Sequence, residues 1–226
     1  MFYWFLKHVV VGPIMKLIFR PWVRGLENLP GTGGVILASN HLSFIDSIFL
    51  PLMIDRPVFF LAKSEYFLGR GLRGWVTKRL MLTLGQMPID RSGGKASEAS
   101  LNTGLRVLAR EQVLGIYPEG TRSPDGTLYR GRTGIARMIL EAGVPVVPVA
   151  MIDTREVMPI GQHVPRVRRI GVVLGEPLDF SRFTGMSGDR FVLRSITDEI
   201  MYGLLRIGGQ TYADVYASSV KEAKAA

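Results

Sequence analysis

The run Asn40-His41-Leu42-Ser43-Phe44-Ile45-Asp46 sets an imidazole and a carboxylate five residues apart, where a helix is expected to begin. A carboxylate on one ring nitrogen fixes the tautomer and stabilises the imidazolium, freeing the other nitrogen to take a proton. On a continuous helix this spacing would not bring the two side chains together. They meet if Ser43 is the N-cap and Asp46 the third helical position, a capping box that turns the carboxylate back toward the helix end. A helix cap beside a chemically idle loop histidine fits these residues equally well. Of the other histidines, His8 sits in an apolar segment and His163 in a basic loop without a nearby acid. There is no cysteine and no serine in a Gly-x-Ser-x-Gly elbow, so a covalent intermediate lacks an evident nucleophile. The simpler chemistry is a base activating a bound hydroxyl for direct attack. One His with one Asp is too small a set to hold a metal.

A second constellation is Tyr117-Pro118-Glu119-Gly120-Thr121-Arg122-Ser123. Pro118 stops a strand, Gly120 permits a tight backbone turn, and Pro124-Asp125-Gly126 closes the loop. Thr121 offers a hydroxyl and Arg122 a planar fork suited to phosphate. Glu119 would be unwelcome beside a phosphate unless it binds a substrate hydroxyl or orients the arginine. Taken singly, these residues also describe a surface turn with an ordinary ion pair. Arg91 is a second candidate fork. Lys63 and Arg130 are weaker cationic candidates, and Asn40 and Ser43 flank the His-Asp pair as further site candidates.

The elements that must position these residues follow from the apolar pattern. Strands are expected at 35–38, 58–62, 113–117, 144–152 and 169–174, with an extended run at 82–89. Helices are expected at 44–54, 66–82, 95–110, 132–142 (ended by Gly143) and 188–206. The alternation predicts an α/β fold: a single domain whose central mixed, mostly parallel β-sheet is flanked by helices. Runs such as Val146-Val147-Pro148-Val149-Ala150 imply strands covered on both faces. Both chemical blocks follow strands, where such sheets present ligands. The organisation expected is a membrane-associating helical segment at 1–24, the main domain at 25–210 and a tail at 211–226 whose end, from Ser218, frays.

The chain has 226 residues, 47% of them apolar, and a net charge of +9. That size and composition exclude a disordered chain, and the charge favours polyanions. Residues 1–24 carry Lys7, Lys16, Arg20 and Arg24, no acid, and many aromatic residues. This mixture predicts an amphipathic helix lying on a membrane, with a helix packed on the core and a tilted span as the alternatives. Only eight uncharged residues separate Lys7 from Lys16, far fewer than the roughly 20 a span needs. Nucleic-acid binding would rest on charge alone. Gly69-Arg70-Gly71-Leu72-Arg73-Gly74 matches a dinucleotide fingerprint in letters, but Lys63–Leu68 separate it from the preceding strand, so the tight strand-turn-helix is missing.

The two blocks, with Gly85–Arg91 and Val144–Val149, resemble in order and spacing the signature blocks of the glycerolipid acyltransferases over residues 23–180. The resemblance implies transfer of a fatty acyl group from acyl-coenzyme A or acyl carrier protein to the sn-2 hydroxyl of 1-acylglycerol-3-phosphate (lysophosphatidic acid). Phosphatidic acid would be the product, in phospholipid biosynthesis. It implies His41 as base and Asp46 as its orienting partner, with Arg91, Glu119, Gly120, Thr121 and Arg122 handling the acceptor phosphate. No metal or cofactor is implied. The expected partners are a phospholipid bilayer, lysophosphatidic acid and the acyl donor, with peripheral or monotopic attachment on the cytoplasmic face. Tyr117 replaces the family's usual phenylalanine, and Tyr129-Arg130-Gly131-Arg132 replaces adjacent lysines before the glycine. The second departure bears on acceptor identity: glycerol-3-phosphate, another lysophospholipid or a glycolipid would suit the same His-Asp pair. A non-catalytic lipid-binding protein is the remaining alternative.

Overall fold

Val35–Ser39 and Val146–Ile152 have no polar alternation because both their faces are covered, and they form the middle of the sheet. In the computed structural model, which describes residues 6–83, 85–89, 96–162 and 164–225, seven strands form this sheet. They are β1 (Trp22–Arg24), β2 (Val35–Ser39), β3 (Val58–Lys63), β4 (Gln86–Ile89), β5 (Val113–Ile116), β7 (Val146–Ile152) and β8 (Gly171–Leu174). Their spatial order is β1-β8-β7-β2-β5-β3-β4. All neighbours are parallel except β7 and β8, which run antiparallel. A short pair, β6 (Leu128–Tyr129) with β9 (Tyr212–Ala213), stands apart. The expected mixed, mostly parallel α/β sheet is therefore the observed one.

Helices cover both faces. On one lie α1 (Gly12–Phe19) and α2 (Asp46–Met53), with Phe19, Phe49 and Leu50 packed against Leu37, Val147 and Val149. On the other lie α4 (Ala96–Leu108), α5 (Gly134–Ala142) and α7 (Arg190–Gly208), which bury Leu101, Ile139 and Ile196 against Ile36, Leu114 and Val146. Gly143 ends α5 in the left-handed conformation, as expected of that residue.

Several local expectations are corrected. The helix expected at 66–82 is α3 (Gly71–Thr83), preceded by a 3-10 turn at Ser64–Phe67. Gly74 serves backbone contact: a Cβ there would lie 2.1 Å from the carbonyl carbon of Gly69. The phosphate-binding strand-turn-helix that the glycine spacing imitates is absent there. Trp22–Arg24 form an edge strand. The end of the chain, expected to fray, forms α8 (Ala217–Ala225) after the four-residue α6 (Thr154–Val157) and the long α7.

At the N-terminus, a π-helical turn over Leu6–Val11 runs into α1. Phe19 faces inward, edge-on to Phe49 at 5.3 Å, whereas Ile14, Leu17 and Ile18 are exposed. Buried Lys7 donates to the carbonyl of Ile54, tying the turn to the end of α2. No helix among the described residues is long and apolar enough to cross a membrane.

Candidate active site

β2 delivers the chain into the turn that carries His41, and α2 begins at Asp46, which is fully buried. One oxygen, Asp46 Oδ2, collects three donors: the amides of Leu42 at 2.7 Å and Ser43 at 2.8 Å, and His41 Nδ1 at 2.9 Å. The amide bonds hold the carboxylate rigid, and the ring bond sets the imidazole's orientation. Nε2 is the ring nitrogen left without a partner among the described residues, and His41 lines a cavity.

Only half of the expected capping box forms. Asp46 accepts from the Ser43 amide, but the Ser43 hydroxyl donates to the Met158 carbonyl at 2.6 Å and caps nothing. The helix starts later than a Ser43 cap requires, which places Asp46 at its first residue, directly against His41. Asn40 is likewise a brace. Its Nδ2 donates to the Met151 carbonyl and to Gln210 Oε1, and its Oδ1 accepts from the Met151 amide at 2.7 Å. Neither residue lines the cavity.

The imidazole stacks on Tyr117 at 3.8 Å with planes 11° apart, and Tyr117 in turn stacks with Phe60 at 5.4 Å. The phenol hydroxyl pairs with Ser47 Oγ at 2.8 Å. Burial, followed by the Asp46 charge, pushes the phenol well above its ordinary pKa, so it stays neutral beside the histidine. The tyrosine therefore substitutes for phenylalanine by finding a hydroxyl partner. Tyr117→Phe is expected to cost about 1 kcal/mol of stability and leave turnover within roughly threefold. Thermal melts with initial rates check it.

Glu119 does not face the cavity. Its side chain is buried and accepts from the backbone amides of His41 (3.3 Å) and Tyr129 (2.9 Å), while the His41 carbonyl accepts from the Ser123 amide at 2.7 Å. The carboxylate thus sews the histidine turn to the Arg122 loop and does not join the phosphate-handling groups expected from the sequence, because two backbone amides claim its oxygens. Burial raises its pKa from 4.5 to about 7, against the opposing pull of the two amide bonds. A carboxyl with a raised folded value binds its proton more tightly folded than unfolded. The stability this brings is complete below the unfolded value and is lost as pH rises through about 7. Glu119 alone should lower the unfolding free energy by roughly 2–3 kcal/mol between pH 5 and 8. Glu119→Gln should flatten that profile in urea titrations, and parallel profiles would contradict the assignment.

In the loop itself Gly120 adopts φ +75° and donates to the Tyr117 carbonyl at 3.0 Å, the turn expected of it. Arg132 lies across it: a Cβ at position 120 would be 3.1 Å from Arg132 Cδ and Nε. Arg122 lines the cavity and forms no hydrogen bond or ion pair among the described residues. Thr121 Oγ1 accepts from Lys221 Nζ of α8 at 2.7 Å. Ser123 and Asp125 close the loop, with the Gly126 amide donating to Ser123 Oγ at 2.9 Å.

The cavity, about 820 Å³ in volume, joins two chemistries. Phe44, Ile48, Phe60, Leu61, Leu101 and Met138 supply an apolar wall, and Gly120, Thr121, Arg122, Arg132 and Arg137 a cationic one, with His41 also in the lining. Arg137 is paired with Glu141 at 2.7 Å. Arg130 lies outside this lining, over the Tyr216 ring and 3.5 Å from Asp214. Lys63 ends β3, but its side chain lies outside the description, as do Arg91 and His163. No group of three or more His, Asp or Glu suited to a metal occurs among the described residues. Sequence reasoning missed Arg132 and Lys221 as cations of the site. The first stood in the Tyr129–Arg132 run, but nothing local marked the second.

A mostly parallel α/β sheet thus carries a His-Asp pair at the end of a central strand, beside an apolar and cationic cavity. Residues 20–152, more than half of the chain, match the family model described as Acyltransferase, and the chain belongs to that family. It is similar to the 1-acyl-sn-glycerol-3-phosphate acyltransferase of Bacillus subtilis, 29% identical over 71% of this chain and 75% of that protein. The chloroplastic enzyme of the same name from Arabidopsis thaliana is 29% identical over 71% of this chain and 44% of its own length. The chain spans less than half of that plant relative. The crystal structure of the 1-acyl-sn-glycerophosphate (LPA) acyltransferase of Thermotoga maritima superposes with a TM-score of 0.61 and 25% identity, covering 97% of this chain and 82% of that one.

Proposed function

We propose that this protein transfers a fatty acyl group from acyl-coenzyme A or acyl carrier protein to the sn-2 hydroxyl of 1-acylglycerol-3-phosphate, giving phosphatidic acid. The observation that carries the reading is His41, held through Nδ1 by Asp46, in the lining of a cavity that also bears the unpaired Arg122. The names of the relatives support the same acceptor. Arg122 and Thr121 hold the acceptor phosphate, and Gly120 lets the loop approach it. Glu119 acts indirectly, by fixing the His41 turn to this loop.

In the reaction, the acceptor oxygen attacks the thioester carbonyl carbon while His41 Nε2 takes its proton. Asp46 stabilises the imidazolium. As the tetrahedral intermediate collapses, the carbon–sulfur bond breaks and the imidazolium proton goes to the departing thiolate, so ester and free thiol are formed and the base is restored. Binding both substrates in one cavity converts an encounter into a positioned reaction. The apolar wall takes acyl chain.

The protein works on the cytoplasmic face of a bilayer, to which α1 offers Ile14, Leu17 and Ile18 with Lys16 beside them. Because burying a leucine is worth about 1.5–3 kcal/mol, Leu17→Asp should weaken cosedimentation with anionic vesicles by about tenfold or more.

The deciding experiment is coenzyme A release by the purified protein with palmitoyl- and oleoyl-coenzyme A, with and without lysophosphatidic acid. Release that depends on the acceptor supports the reading. Release only with glycerol-3-phosphate or a glycolipid would move the acceptor and keep the chemistry. Lipid binding without release from any donor would leave the non-catalytic alternative.

A further inference from the structure

The last helix lies beyond residues 20–152 that match the family model and outside the cavity lining, yet it bonds to residues of that lining. Lys221 Nζ donates to Thr121 Oγ1 at 2.7 Å. Near the start of α8, Ser218 Oγ accepts from the Arg132 guanidinium at 3.0 Å, and the ring of Tyr216 lies 5.1 Å from Arg132 Cζ. Arg122, Arg132 and Thr121 all line the cavity. The C-terminal segment therefore holds one lining guanidinium and sets a further cation, Lys221, directly behind a lining hydroxyl.

These charges lack a committed counter-charge. Burial, and then Arg122, push the Lys221 ammonium below its ordinary pKa, with Glu119 alone opposing. Glu119 is already bonded to the amides of His41 and Tyr129. Each cation keeps donors to spare, and Thr121, which accepts the lysine bond, can donate its own hydroxyl hydrogen. Gathered like charges whose one nearby acid is already bonded elsewhere are relieved by an anion, and a phosphomonoester brings a charge near −2 with three acceptor oxygens. A phosphodiester brings less charge and fewer free oxygens.

We propose that Lys221, on the C-terminal helix, is a binding residue of the phosphate subsite, where it joins Arg122, Arg132 and Thr121 in selecting a phosphomonoester acceptor. This rests on the acceptor reading above. Lys221→Met in the full chain is expected to raise KM for lysophosphatidic acid about tenfold or more with kcat within roughly twofold. Lys221→Arg should restore most of the loss. Inorganic phosphate should raise the wild-type melting temperature and that of Lys221→Arg, but not that of Lys221→Met. An unchanged KM in Lys221→Met, or equal phosphate protection of wild type and Lys221→Met, overturns the proposal. So does a fall in kcat and melting temperature together that Lys221→Arg fails to rescue. A wild type without acceptor-dependent release would defeat the acceptor reading instead, and the phosphate melts would still decide the role of Lys221.

Discussion

His41→Ala should lower acceptor-dependent coenzyme A release by ~10²–10⁴-fold while leaving KM for both substrates nearly unchanged. The imidazole's Nδ1 is committed to Asp46, so Nε2 is the nitrogen available to take the acceptor's proton. The fold should survive, because the amides of Leu42 and Ser43 remain bonded to Asp46 Oδ2 and keep the turn in shape. The lost stack on Tyr117 should cost a modest drop in melting temperature. Asp46→Asn is a different lesion. It withdraws a charged acceptor from two buried amides as well as from the ring, so turnover and stability should fall together. The paired measurement is initial rate against melting temperature. Near-normal turnover in a folded His41→Ala protein would sink the base assignment.

Removing the Arg122 guanidinium should act on binding. Arg122→Ala is expected to raise KM for lysophosphatidic acid about 10²-fold, the loss of two charge-assisted hydrogen bonds to phosphate. Stability should change by no more than about 0.5 kcal/mol, since among the described residues the side chain has no partner to orphan. Arg122→Lys should recover part of the loss, because it restores the charge but not the planar fork. Arg130→Ala is the control. Its guanidinium lies over Tyr216 and near Asp214, outside the cavity lining, and KM should move only a fewfold. Equal effects at the two arginines would mean that bulk charge, and not a located subsite, holds the phosphate.

The architecture was legible because its signals are local. Unalternated apolar runs at 35–38 and 146–150 announced strands covered on both faces, and β2 and β7 are central. The Gly120 turn and the end of α5 at Gly143 followed from the backbone freedom of glycine. The His-Asp pairing was legible too, though by a route that proved half right: Asp46 turns back onto the Ser43 amide, while the Ser43 hydroxyl is drawn away by the Met158 carbonyl. A contact 115 residues distant leaves no trace in the seven letters that contain Ser43.

The sequence alone thus determined which chemical groups the protein has, and which short loops after strands present them. Residue type fixes what a group can do, and local backbone preference fixes where a chain turns. Tertiary structure decided the division of labour. Its residue type and loop make Glu119 a candidate substrate ligand, but its carboxylate is bonded to the amides at positions 41 and 129. Lys221 belonged to a tail until α8 laid it against Thr121, 100 residues away. Whether a charged side chain faces a cavity or a wall depends on which distant backbone groups need a partner there. That is settled by packing, since buried polar groups must be satisfied by whatever the fold brings near.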